Sequence, residues 1–142
     1  MDEPALKMTA ADLAAFLTRE FPQVDGAFAI ESLDADNLTV RMLITEAHLR
    51  PGGTVSGPTM FALADVAVYL AVLARLGPVA LAVTTNCSID FMRKPVAGVD
   101  LLAQTRILKM GKALSVGDVL IYSEGQDAPV ARASLTYAIP PR

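Results

Sequence analysis

Asp65 is the only charged residue between Met60 and Ala74, inside an otherwise apolar stretch. Burying an unpaired carboxylate costs several kcal/mol unless donors compensate it, so a carboxylate in this setting needs a reason. Two stand open: a structural Asp that accepts hydrogen bonds or reaches the surface, and a functional acid, base or nucleophile. The cost of burial favours the second. Just upstream lies Ser56-Gly57-Pro58. The first N–H groups of a helix have no internal partner and can stabilise a developing oxyanion, and a glycine there lets a ligand approach the backbone closely. Proline suits the first helical turn, where its missing N–H is not needed. The same residues are equally consistent with an ordinary cap in which Ser56 bonds its own helix. Asp65 lies eight residues past Gly57, about 12 Å along a helix rising 1.5 Å per residue. One helix cannot bring both to the same atom, so a site that uses both requires a second copy of the chain.

Other groups offer less. His48 is the one histidine, and a Ser-His-Asp triad would have to use it, but no Gly-x-Ser-x-Gly elbow is present. It reads as a loop histidine. No His-x-x-x-His, cysteine pair, dense carboxylate loop or Gly-rich phosphate loop occurs, so neither a metal nor a nucleotide cofactor is expected. Thr84 and Asn86, followed by Ser88 and Asp90, fall on the strand face opposite an apolar row. Small polar groups there either position a water and satisfy a carboxylate or form a solvated face. Arg50, Arg93 and Lys94 lie near loop ends, where they could hold a phosphate or simply meet water. Met60, Phe61, Tyr69 and Met92 suit an acyl pocket and core packing equally well.

The elements that must position these residues follow from periodicity. Thr9-Ala-Ala-Asp12 forms a capping signal, and Leu13, Phe16, Leu17 and Phe21 recur at helical spacing, so a helix is predicted over about 10–20, stopped by Pro22. From Ala27 to Ile44 the pattern alternates around an Asp34-Ala-Asp36-Asn37 turn, a hairpin. Pro51-Gly52-Gly53 and Gly57 mark a loop, followed by a long helix over about 57–76 that Gly77-Pro78 ends. That helix is nearly apolar all round, which places it in the interior. Val79, Leu81, Val83, Thr85, Cys87, Ile89 and Phe91 are predicted to hold one face of a long strand, with further strands near 99–109, 113–123 and 129–139. The order predicts an α+β domain, a strongly bent antiparallel sheet wrapped around the central helix.

Composition narrows the function classes. The 142 residues are 53% apolar and 19% charged, richer in core material than the averages of about 45–50% and about 25%, so a disordered chain is excluded. A net charge of −3 without a basic cluster argues against a nucleic-acid surface. The run Val66–Ala74 is shorter than the ~20 residues of a membrane span. The single cysteine, Cys87, permits no intrachain disulfide, and the acidic start Met1-Asp2-Glu3-Pro4 lacks signal-peptide order, so a cytoplasmic protein with no membrane partner is expected.

Arg50-Pro-Gly-Gly-Thr-Val-Ser-Gly-Pro, followed by Ala62-Leu-Ala-Asp65-Val-Ala, resembles the signature of hot-dog fold acyl-CoA thioesterases of the phenylacetate-pathway (PaaI-like) type. Their usual form is Asn-x-x-Gly-x-x-His-Gly-Gly, then Ala-x-x-Asp-x-Ala. Thr84-Thr-Asn-Cys-Ser-Ile-Asp-Phe-Met-Arg-Lys-Pro95 is similar to that family's third strand and its Arg-Pro exit, and the likeness runs from about residue 27 to 139. The resemblance implies that the Gly57 N–H polarises a thioester carbonyl, that Asp65 activates water or attacks, and that Thr84 assists the acid from the facing subunit. It implies two sites at the interface of a homodimer, often within a homotetramer, with coenzyme A phosphates near basic side chains. Arg50, Ser56, Pro58, Thr85, Asn86, Arg93 and Lys94 are the expected substrate-binding residues. Ser56 replaces the usual His, Pro58 the second Gly and Arg50 the Asn. The expected function is hydrolysis of an acyl-CoA thioester without a cofactor. The alternative is a non-catalytic hot-dog domain that binds acyl-CoA or another apolar ligand.

Overall fold

The computed structural model describes residues 6–24 and 26–141. The first helix, α1, spans Ala10–Glu20. A reciprocal cap starts it: Thr9 Oγ1 accepts the Asp12 N–H at 3.1 Å, and Asp12 Oδ2 accepts the Thr9 N–H at 2.9 Å. It buries Leu13, Phe16 and Leu17, and a short 3-10 turn, Pro22–Val24, follows. Strands β1 (Phe28–Leu33) and β2 (Leu38–Met42) form the expected hairpin. The Asp34 carboxylate accepts the N–H groups of Asp36 and Asn37 at 2.9 and 2.8 Å. Those two bonds hold its carboxyl below the usual carboxylate value.

The long helix α2 spans Gly57–Leu76 and buries Leu63, Ala64, Ala67, Val68, Leu70 and Leu73 among others. Gly77 ends it at φ 94°, a conformation that favours glycine, and donates its N–H to Leu73 O at 2.8 Å. With 20 residues and a mean hydropathy of 1.8, α2 is long and apolar enough to cross a membrane, yet 67% of its most apolar window is buried inside this protein. Strands β3 (Val83–Phe91), β4 (Leu101–Met110), β5 (Leu114–Ser123) and β6 (Ala131–Ala138) complete a sheet ordered β1-β2-β4-β5-β6-β3. Every pairing is antiparallel. Val40, Leu101, Ala103, Val119, Ile121, Ala133 and Leu135 join α2 in one core. A β-carbon at Gly117 would stand 2.8 Å from Val68 Cγ1, so the glycine sets how closely helix and sheet approach. This is the bent sheet around a central helix expected above, the hot-dog arrangement.

Two features differ from the sequence pattern. Strand β3 pairs with neither of its neighbours in the chain, β2 and β4, but with β6 at the far edge of the sheet. Its apolar alternation also does not describe one face. The strand begins at Val83 rather than Val79, and Thr84 pairs with Tyr137 while Asn86 pairs with the adjacent Thr136. The extra residue, Thr85, is a bulge, so Thr84 and Asn86 lie on opposite faces and Thr84 turns inward with Cys87 and Ile89. Leu81, in the turn before β3, and Phe91, at the strand's end, are 77% and 52% exposed, and β3 itself is an edge strand with sheet on one side.

Candidate active site

The loop before α2 is closed by a bridge between Leu49 and Val55 and by an Arg50 N–H to Thr54 O bond of 2.9 Å. Gly52 and Gly53 take φ of 96° and 77° at its tip, the left-handed region other residues avoid. Ser56 donates its N–H to His48 O at 3.0 Å and so enters the helix at a fixed angle. Its Oγ accepts the Thr59 N–H at 3.3 Å and lies 2.8 Å from Thr59 Oγ1. Ser56 therefore caps the helix. Gly57, as the first residue of α2, has no intrahelical acceptor for its N–H.

A cavity of about 530 Å³ opens there, lined by Arg50, Gly57, Met60, Phe91, Met92, Arg93 and Lys94 among others. The Arg93 guanidinium donates to Pro129 O at 2.5 Å. Arg50 and Lys94 make no ion pair among the described residues, so both charges remain available to an anion.

Asp65 belongs to a second cavity of about 400 Å³, with Glu20, Phe21, Val66, Tyr69, Ala82, Val83, Thr84 and Tyr137 in its wall. The two cavities share no lining residue. The Thr84 hydroxyl donates to Asp65 Oδ1. Tyr137 donates to the same oxygen at 2.7 Å and lies 3.0 Å from the Asp65 carbonyl oxygen. Oδ2 accepts no hydrogen bond among the described residues. Burial pushes the Tyr137 phenol well above its ordinary value, and the Asp65 charge adds to this, so Tyr137 acts as a donor. Its ring packs against Tyr69 at 5.9 Å between centroids, and Tyr69 meets Phe16 and Phe21 in turn. Burial, with the Asp65 charge second, raises the Cys87 thiol above its ordinary value.

The candidates thus separate. Arg50, Gly57, Arg93 and Lys94 meet in one cavity, with Met60 and Met92, while Asp65 and Thr84 meet in the other, with Tyr69. Thr84 reaches Asp65 of its own chain, whereas the resemblance implied the facing subunit. Ser56 and Pro58 line neither cavity. Thr85 and Asn86 are exposed, with Thr85 Oγ1 donating to Thr136 O at 3.3 Å. The half-buried His48 accepts the Thr45 N–H on Nδ1 at 2.9 Å, and Phe61 stands 39% exposed outside both cavities. Nothing in the sequence marks Tyr137. Only the β3–β6 register, which sets it beside Thr84, reveals it.

A model of the Thioesterase superfamily matches residues 52–130, more than half of the chain. The crystal structure of a candidate thioesterase from Silicibacter sp. TM1040 superimposes with a TM-score of 0.92 at 57% identity, covering 99% of this chain and 97% of that one. The PaaI protein of the Escherichia coli phenylacetic acid degradation operon gives 0.76 at 26% identity, over 94% of this chain and 97% of its own. A variant of the phenylacetic acid degradation protein PaaI from Thermus thermophilus gives 0.71 at 28% identity, over 84% and 99%. No curated protein matches the sequence. Fold and site together define a hot-dog protein of the thioesterase class. The chain belongs to the Thioesterase superfamily.

Proposed function

We propose that the protein hydrolyses acyl-CoA thioesters at sites shared between two copies of the chain. One observation carries this reading: the cavity that holds Asp65 and the cavity that holds Gly57 lie at opposite ends of β3. Val83 and Thr84 at its start line the Asp65 cavity, and Phe91 at its end lines the Gly57 cavity. Among the described residues, nothing pairs with the outer edge of β3. Antiparallel pairing of this edge with its copy about a two-fold axis sets the start of one β3 beside the end of the other. Each Asp65 then faces the partner's Gly57, as the spacing of about 12 Å along α2 requires. The exposed Leu81, Val83, Phe91 and Met92 would be covered by the same contact.

In such a site the thioester oxygen accepts the Gly57 N–H, and coenzyme A phosphates meet Arg50 and Lys94, with Arg93 beside them. Asp65 takes a proton from water through Oδ2 as the water oxygen bonds to the carbonyl carbon. The tetrahedral intermediate expels the thiolate, the C–S bond breaks, and the thiolate takes the proton back from Asp65. The products are a carboxylic acid and the free thiol of coenzyme A.

The test is release of free thiol from a panel of short, long and aromatic acyl-CoAs by wild type and Asp65→Asn. Loss of the base should lower kcat by about 100-fold or more. Unchanged turnover in the variant would remove Asp65 from the mechanism. Binding without thiol release by wild type would instead support the non-catalytic domain.

A further inference from the structure

We propose that Tyr137 is a positioning residue of the Asp65 site, which together with Thr84 occupies Oδ1 and leaves Oδ2 as the single oxygen presented to the second cavity's contents. This rests on the reading of Asp65 as the base.

The geometry has three parts. Both hydroxyl donors converge on one carboxylate oxygen, Thr84 from β3 and Tyr137 from β6. The Tyr137 oxygen also lies 3.0 Å from the Asp65 backbone carbonyl oxygen, so a single hydroxyl spans main chain and side chain of the same residue. A carboxylate held at its own backbone and at Oδ1 cannot exchange its two oxygens by rotation without breaking a bond. The phenol is itself fixed, at 3% exposure, by the Tyr69 ring behind it. Tyr69 in turn donates to Ala80 O at 3.0 Å, in the turn that leads into β3. The chain from Ala80 through Tyr69 and Tyr137 to Asp65 therefore closes on the element that carries Thr84.

A base must hold its lone pair within hydrogen-bond reach of the attacking water in the transition state, and a displacement of about 1 Å costs on the order of 10²-fold. Tyr137 does not touch the thioester in this arrangement. Its effect belongs in kcat, with little change in KM.

The experiment compares wild type, Tyr137→Phe and the control Tyr122→Phe, whose side chain lies on the other face of the sheet. Phe keeps the ring that packs on Tyr69, and thermal unfolding reports whether the fold survives. The carboxylate infrared bands of Asp65 are isolated as the difference between each protein and its Asp65→Asn counterpart, and thiol release gives kcat and KM. The expected result is a displaced Asp65 band in Tyr137→Phe alone, with kcat reduced about 10- to 100-fold and KM within about twofold. Should Tyr137→Phe lose the fold, 3-fluorotyrosine placed at position 137 keeps the ring and the hydroxyl while strengthening the donor, and must displace the Asp65 band if the hydrogen bond is what positions the carboxylate. An Asp65 band unmoved in a folded Tyr137→Phe, or a loss confined to KM, overturns the proposal. Absence of thiol release from every thioester by wild type defeats the proposed function instead, and the infrared comparison still decides the role of Tyr137.

Discussion

The Phe91 ring stands against Gly57: a β-carbon at that position would meet Phe91 Cζ at 3.2 Å. The ring is half exposed and can yield, and Gly57 lies outside the positive-φ region, so Gly57→Ala should fold with equal or greater stability, by up to about 1 kcal/mol. Its cost falls on the approach to the helix N–H. Turnover should drop by up to about 100-fold, the scale of losing an oxyanion donor. The double variant Gly57→Ala, Phe91→Ala should recover part of it, and additive losses in kcat/KM would refute the coupling.

A site divided between two chains, as proposed, predicts that activity can be reassembled from two broken ones. Asp65→Asn and Gly57→Val, each inactive alone, should regain about a quarter of wild-type activity when mixed and allowed to exchange subunits, since only mixed dimers carry one intact site. No recovery after exchange confirmed by mass spectrometry would place Gly57 and Asp65 in separate functions.

Tyr137 also makes a pH prediction. Its phenol is held above the ordinary value of 10.0 by burial. Below that pH, folded and unfolded chains both keep the proton and stability is undiminished. Above it the unfolded chain releases the proton while the folded one retains it, so stability falls as pH rises, by at most about 1.4 kcal/mol per pH unit for one group. Tyr69 and Cys87 are raised as well and act in the same direction. The contribution of Tyr137 is therefore the difference between wild type and Tyr137→Phe in urea unfolding at pH 9 and pH 11. Equal alkaline slopes would contradict it.

Where helix meets sheet, Gly117→Ala places a methyl 2.8 Å from Val68 Cγ1 and 2.9 Å from Cγ2, in a core with no give. The expected loss is about 1–3 kcal/mol. Val68→Ala in the same chain should return much of it, measured as the coupling in denaturant midpoints.

Much of this architecture is legible in the sequence because each element carries its own punctuation. Thr9 and Asp12 start α1, Asp34 folds the hairpin, and Ser56 with Pro58 and Gly77 brackets α2. Strand β3 is harder, for a physical reason. Packing needs Cys87 and Ile89 against the helix, and the carboxylate needs Thr84 on that same face. Strict alternation cannot place an even and an odd position together, so one residue, Thr85, is left over. No glycine or proline marks it. Asp65 stands out by its isolation in an apolar run, whereas Tyr137 is an ordinary strand residue until the register sets it beside Thr84.

The core of α2 is supplied by its own sheet, with twelve of its residues buried in a single chain. With the site shared as proposed, folding and activity are separable events. On dilution below the dissociation constant of the proposed dimer, far-ultraviolet circular dichroism should stay constant while specific activity declines, and turnover per chain becomes a direct gauge of how many chains have found a neighbour.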